Sequence, residues 1–279
     1  MRKDSEDHQQ GKDAREGHDM TYSVNCSILL TELPLLERPA AAKAAGFDAV
    51  EFWWPFSEAV PADADVDAFV NAINDAGVQL AGLNFFAGDM PGGDRGLVSW
   101  TGREAEFKDN IDVVTGIGER LGTKAFNALY GNRLDGVAPE EQDELGLKNL
   151  VAAAEGVAKI GGTVLLEPVS GTPAYPLKTA ADTFAVIAKT QEAGADNVKF
   201  LADFYHLSVN GDDVAAVIEN HTKDFGHIQI ADNPGRGAPG TGELPLGEWV
   251  NRSRELGYTG HIALEYKQPQ ESAFSWLVR

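Results

Sequence analysis

The chain has 279 residues, a formal net charge of −20 and 43% hydrophobic residues. That apolar share is enough for a sizeable core, yet no run of eighteen apolar residues suggests a membrane span, so no membrane partner is expected. So acidic a chain lacks the basic footprint that nucleic-acid binding needs; its charge fits ordinary solubility.

The single cysteine, Cys26, permits no intrachain disulfide and reads as a buried thiol in a cytoplasmic protein. Residues 1–20 are almost entirely charged or polar, without apolar periodicity. They match neither a secretory signal nor a membrane anchor, and the expectation is a disordered extension ahead of one folded domain, 21–279.

A regular alternation begins at Thr21. A strand over 22–26 leads to a helix over 35–45, then a strand over 48–53 and a helix over 65–76. The third strand spans 78–85; a loop rich in glycine follows, and a long helix spans 103–121. The fourth strand covers 123–129, and the helix over 139–160 has Pro139 suitably placed in its first turn. Strands over 164–168, 198–203, 227–232 and 260–267 follow, with helices over 179–193, 212–222 and 246–256 between them. Glycine follows the helix at six junctions, Gly77 and Gly122 among them, where a left-handed residue closes a helix. Eight strands alternating with helices, with no linker between them, predict a single α/β domain: a closed (β/α)8 TIM barrel rather than an open doubly wound sheet.

The last four strands share an anomaly: each is apolar yet carries an oxygen-bearing side chain at or near its C-terminal end. These are Glu167, Asp203, Gln229 and Glu265, spaced 36, 26 and 36 residues apart, one βα unit each time. The C-terminal rim is where barrels of this kind place their active sites, so the four side chains converge. Taken singly, each is a hydrogen-bonded polar group at a strand end. Together, three carboxylates need protons or a cation to offset their repulsion. An all-oxygen set that includes the Gln229 amide suits a hard divalent ion, Mg²⁺ or Mn²⁺, better than zinc.

Two other patterns carry less. Gly235-Arg236-Gly237-Ala238-Pro239-Gly240 has dinucleotide-type glycine spacing, but no helix follows it directly and Pro239 and Pro245 oppose one. Trp53-Trp54-Pro55-Phe56 lacks the basic interleaving of a nucleic-acid platform and reads as a rim wall or an oligomer contact.

Several segments carry a resemblance: Gly46-Phe47-Asp48-Ala49-Val50-Glu51-Phe52, Leu166-Glu167-Pro168, Asp203-Phe204-Tyr205-His206, the run from His227 to Glu243, and Glu265-Tyr266-Lys267. In these the chain resembles the hydroxypyruvate isomerase family, within the xylose-isomerase-like sugar isomerase barrels, from about Met20 to Lys267. The resemblance implies a divalent metal held by Glu167, Asp203, Gln229 and Glu265, with Glu167 and Glu265 doubling as the acid–base pair. The segment Val169-Ser170-Gly171-Thr172-Pro173-Ala174-Tyr175 departs from the family pattern in a rim loop, which bears on substrate identity more than on reaction type.

The expected reaction is isomerisation of hydroxypyruvate to 2-hydroxy-3-oxopropanoate through an enediolate. The alternatives are isomerisation of a larger 2-oxo acid such as 2-oxo-tetronate, or epimerisation of a ketose. His206, Arg236 and Lys267 are the candidates to bind the substrate's carboxylate. Asn84 is a candidate pocket wall, whereas Phe85 and Phe86 read as barrel packing. A binding module without turnover is disfavoured by the two glutamates, and a DNA-repair endonuclease by the charge and by only six histidines. Aromatics in the rim loops raise the expectation of a homo-oligomer.

Overall fold

The computed structural model describes residues 22–278; the expected disordered extension, 1–20, lies outside the described residues. The strands are β1 (Tyr22–Asn25), β2 (Ala49–Phe52), β3 (Gln79–Asn84), β4 (Ala125–Asn127), β5 (Thr163–Leu166), β6 (Val198–Asp203), β7 (Phe225–Ile230) and β8 (Ile262–Leu264). Between them run α1 (Arg38–Ala44), α2 (Asp63–Ala76), α3 (Glu104–Leu121), α4 (Pro139–Ala158), α5 (Ala180–Glu192), α6 (Phe204–Val209), α7 (Val214–His221) and α8 (Leu246–Glu255). All strand pairs are parallel in sequence order, and β1 pairs with β8 to close the barrel.

The layer between barrel and helices is the apolar core. Phe52 of β2 meets Phe69 of α2 edge to face, with ring centroids 5.1 Å apart. Phe126 of β4 lies under α3, and a side-chain carbon on Gly118 would come within 2.5 Å of its ring. A glycine in a helix costs about 1 kcal/mol relative to alanine; here that cost is offset by seating a fully buried phenylalanine, worth roughly 1.5–3 kcal/mol. Gly77 and Gly122 close their helices with φ of 67° and 71°, as their position after each helix predicts.

Two local features differ from the pattern read in the sequence. The ladders are shorter than the apolar runs, β8 most of all, because the chain leaves the sheet at the rim as soon as it feeds a loop. A short helix, α6, follows β6 without a loop. Asp203 is both the last strand residue and the N-cap, its Oδ1 accepting from the backbone N–H groups of Tyr205 and His206 at 2.9 and 3.1 Å. Its other oxygen is left for the barrel mouth.

Candidate active site

Strand residues alternate between the barrel interior and the surrounding helices, so register fixes which side chains meet. Asn25 is level with Glu51, and Asn84 with Asn127. Asn127 is level with Leu165, which puts Glu167, two residues on, on the same face. Asp203 is level with Gln229, and Gln229 with Ala263, two residues before Glu265. Each of the eight strands thus delivers one buried polar side chain to the same interior level. Above them opens a cavity of about 1360 Å³, reached by Asn84, Glu167, His206, Arg236, Glu265 and Lys267.

Among the residues expected to hold a metal, Glu167 and Asp203 lie together with His206, each offering an atom within 4.8 Å of the others. Glu167 Oε2 and Gln229 Oε1 are buried and have no hydrogen-bond partner among the described residues. Buried acceptors are normally satisfied, and an orphaned carboxylate oxygen and an orphaned amide oxygen beside a second carboxylate are the environment that a hard divalent cation would complete. Glu265 is more heavily engaged. Its Oε1 accepts from Arg236 Nη2 at 2.8 Å, and its Oε2 from Asn25 Nδ2 at 3.2 Å and, more weakly, Trp53 Nε1 at 3.5 Å. A carboxylate oxygen can accept twice, so Glu265 still has lone pairs for a cation.

His206 could be a ligand or a donor, and its hydrogen bonds decide. The Ser170 backbone N–H lies 3.0 Å from Nδ1 and can only donate, so Nδ1 is an acceptor. Burial pushes the ring down to about 4, the charges of Asp203 and Arg236 acting in opposite directions, so it is neutral at pH 7. The proton therefore sits on Nε2, which faces Asp203 Oδ2 at 3.7 Å. His206 offers the cavity an N–H, not a lone pair.

The carboxyls divide by their surroundings. Burial, and after it the charge of Asp203, pushes Glu167 up to about 8. Glu265 is raised well above the ordinary carboxylate range by burial, with Arg236 opposing and Asp203 and Glu167 adding. Glu51 moves the other way: burial would raise it, but the His227 imidazole and hydrogen bonds from His227, Asn25 and Gln229 hold it low. Carboxyls raised by burial beside one held low can support acid–base chemistry.

The rim loops are built to hold cations over this floor. After β7, Asp232 accepts from the backbone N–H groups of Asn233, Leu244 and Gly240 at 2.8–2.9 Å, winding the loop around one carboxylate. That loop carries Arg236, with φ of 55°, back over the Tyr205 ring at 5.3 Å and onto Glu265. Its Nε is buried and lacks a partner among the described residues. Lys267 is exposed and sits at the outer mouth, its backbone N–H donating to the Arg236 carbonyl at 2.8 Å.

The glycine-rich loop after β3 supplies a cation that the sequence pattern did not single out. Gly96, at φ of 110°, lies so close to the Leu129 backbone that any side chain would collide with it. This anchors Arg95, which lines the cavity with its Nη1 spent on the Met90 and Asp94 carbonyls. Burial and the nearby Arg236 charge lower the Arg95 guanidinium from its ordinary value. Trp53, Trp54 and Phe56 form a wall of the same cavity, as a rim aromatic cluster would. Phe85 packs against Phe107 as expected, but Phe86 faces the cavity, under the Arg103 guanidinium.

Sequence reasoning passed over Glu51, Asn127 and Ser170. Asn127 donates to Glu167 Oε1 at 2.8 Å, and Ser170 sets the His206 tautomer. Their residue types are ordinary at strand ends and turns, and only register or tertiary contact reveals them. Glu51 is the one with a visible signal, a lone acid between Val50 and Phe52 in a short apolar strand.

The xylose isomerase-like TIM barrel family matches residues 39–277. A Streptomyces coelicolor protein provisionally named hydroxypyruvate isomerase is 53% identical over 93% of this chain and 96% of its own. The 2-oxo-tetronate isomerase of Cupriavidus necator is 34% identical over 88% of this chain and 92% of its own. A Brucella melitensis crystal structure titled as an AP endonuclease of family 2 superposes with a TM-score of 0.83 at 29% identity, over 93% of this chain and 98% of that one. No helix among the described residues is long and apolar enough to cross a membrane. With a barrel of this topology, a polar floor at its C-terminal end and isomerases among its relatives, the chain belongs to the xylose isomerase-like TIM barrel family and, within it, to the hydroxypyruvate isomerase group of isomerases.

Proposed function

We propose that the chain interconverts hydroxypyruvate and 2-hydroxy-3-oxopropanoate with a divalent cation, Mg²⁺ or Mn²⁺, held by Glu167, Asp203, Gln229 and Glu265. The observation that carries this reading is the pair of orphaned buried oxygens, Glu167 Oε2 and Gln229 Oε1, beside Asp203 at the cavity floor. When bound, the cation supplies the positive charge that stabilises an enediolate and lets the surrounding carboxyls ionise.

The residues supply the proton transfers. One glutamate takes the proton from C3 of hydroxypyruvate and returns it to C2; the other carries the C3 hydroxyl proton to the C2 oxygen. Glu167, with one oxygen on Asn127 and one free, and Glu265, tethered by Arg236 and Asn25, reach from strands on different sides of the mouth. The His206 Nε2–H is placed to hold a substrate oxygen, and the free Arg236 Nε and Arg95 offer donors to the substrate carboxylate. The acidic chain as a whole does not suit a nucleic-acid substrate.

One observation favours a second reading of substrate length. A cavity of about 1360 Å³ is far larger than a three-carbon acid needs, and it would admit a four-carbon 2-oxo-tetronate. Both readings are tested by NMR in D2O with Mg²⁺ or Mn²⁺ on hydroxypyruvate, 2-oxo-tetronate and a neutral ketose. Deuterium incorporation and isomerisation are expected with the 2-oxo acids, fastest with hydroxypyruvate. Turnover of the ketose alone would overturn the proposal.

A further inference from the structure

Among the polar side chains of the cavity floor lies a buried group that the proposed chemistry leaves unused. Glu51, on β2, reaches across the barrel to β7. Its Oε2 lies 2.6 Å from His227 Nε2, and its Oε1 accepts from Gln229 Nε2 at 2.7 Å. The same Oε1 accepts from Asn25 Nδ2 at 2.9 Å. One of the three carboxylate-bound groups is held a second time. The Asn25 amide is fixed at its other end, where its Oδ1 accepts from the Ser27 backbone N–H at 3.0 Å, and its Nδ2 also reaches Glu265 Oε2 at 3.2 Å.

The consequence falls on Gln229. An amide has a donor end and an acceptor end, and a half-turn would exchange them. Glu51 Oε1 already accepts from the Asn25 amide, so it can receive the NH2 end of Gln229 and would repel the carbonyl end. With NH2 held by Glu51, the carbonyl Oε1 is left buried and without a partner among the described residues. We infer that Glu51 is a positioning residue, which selects the orientation of the Gln229 amide and so presents an oxygen, not an N–H, to the divalent cation. This rests on the reading of Gln229 as a ligand. Glu51 also tethers, through Asn25, the carboxylate of Glu265, so one buried acid aligns side chains from β1, β7 and β8.

The argument depends on Glu51 as an acceptor, not on its charge, and the two roles separate experimentally. Glu51→Met removes the acceptor at similar length. Glu51→Gln retains an oxygen on which both amides converge, and its NH2 can face the imidazole. Partners behind a metal ligand typically contribute about 10–100-fold in metal affinity. Mn²⁺ affinity of the otherwise intact protein, measured by calorimetry, is expected to fall about 10–100-fold in Glu51→Met and by no more than a few fold in Glu51→Gln. Gln229→Ala should lose a similar amount, and the double variant Glu51→Met/Gln229→Ala no more than the worse single one.

If Gln229→Ala binds Mn²⁺ as the parent does, the ligand reading fails. If Gln229→Ala is weak while Glu51→Met is normal, or the two losses multiply, or Glu51→Gln is as weak as Glu51→Met, the positioning role is overturned. Should Glu51→Met not fold, the parent protein decides. The Gln229 side-chain NH2 protons, identified by their absence in Gln229→Ala, should exchange with D2O at least about tenfold more slowly than those of exposed glutamines, with and without Mg²⁺. Free exchange would refute the inference.

Discussion

The protonation of Glu167 has a consequence for the stability of the metal-free protein that can be read in a titration. Burial and the Asp203 charge hold this carboxyl at about 8 in the folded state, against 4.5 for the free side chain. The folded protein therefore binds a proton that the unfolded chain has released, and stability contributed by that proton is present below pH 4.5 and lost as pH rises through about 8. His206 acts oppositely below its free value of 6.5, because its ring is held neutral down to about 4. The window free of that opposition is pH 6.5–8.

Across that window one carboxyl at about 8 costs about 2 kcal/mol. Glu265, raised by burial, acts in the same direction. In urea, at an m-value of about 3 kcal/mol/M, the midpoint of the EDTA-treated protein should fall by about half a molar between pH 6.5 and 8. Glu167→Gln should be the more stable form at pH 8 and should show a clearly shallower dependence, with the Glu265 share remaining. Saturating Mg²⁺ should reverse the trend, because cation binding displaces protons and strengthens as they leave. A metal-free midpoint that is flat or rises from pH 6.5 to 8, or one that falls equally in Glu167→Gln, would refute the assignment of a retained proton to Glu167.

Three further outcomes are expected. Glu167→Gln and Glu265→Gln should each lower turnover by about 10²–10⁴-fold with Mn²⁺ still bound; near-parental turnover of metal-loaded Glu265→Gln would reduce Glu265 to a ligand. Arg95→Met should raise the KM for hydroxypyruvate by about tenfold or more, the worth of one charge-assisted hydrogen bond, with little change for neutral dihydroxyacetone and none in Mn²⁺ affinity. Gly96→Ala should destabilise the protein by at least about 2 kcal/mol in urea unfolding, because its positive φ and the adjacent Leu129 carbonyl both oppose a side chain.

The barrel was legible because its signals are local. Helix-closing glycines and apolar runs of strand length recur along the chain, and eight repetitions leave little choice of architecture. The boundaries were less so. The strands 260–267 and 123–129 reduce to Ile262–Leu264 and Ala125–Asn127, since hydropathy continues beyond the ladder wherever a rim residue is also buried. The helix α6 was missed because Asp203 ends a strand and caps a helix in one residue, leaving no loop to mark the junction.

The floor of the cavity was legible in large part, and the part that was missed has a common cause. On β5 to β8 the residues at the rim are acids or an amide at the end of apolar runs, where burial of an uncompensated charge makes them conspicuous. On β1 to β4 three of the four are asparagines; Asn84 is visible in the sequence as a pocket wall, but Asn25 and Asn127 are of a type that local reasoning assigns to turns. Glu51 is an acid like the others, but its meaning lies in His227 and Gln229, which enter the chain more than 170 residues later. A further shift in register between Val50 and Glu51 removes any count by which spacing could align β2 with β7. What the fold adds is therefore the orientation of the side chains at the cavity floor. Gln229 could have turned either end of its amide to the cavity, and only the carboxylate on the far side of the barrel makes the oxygen the end that faces it.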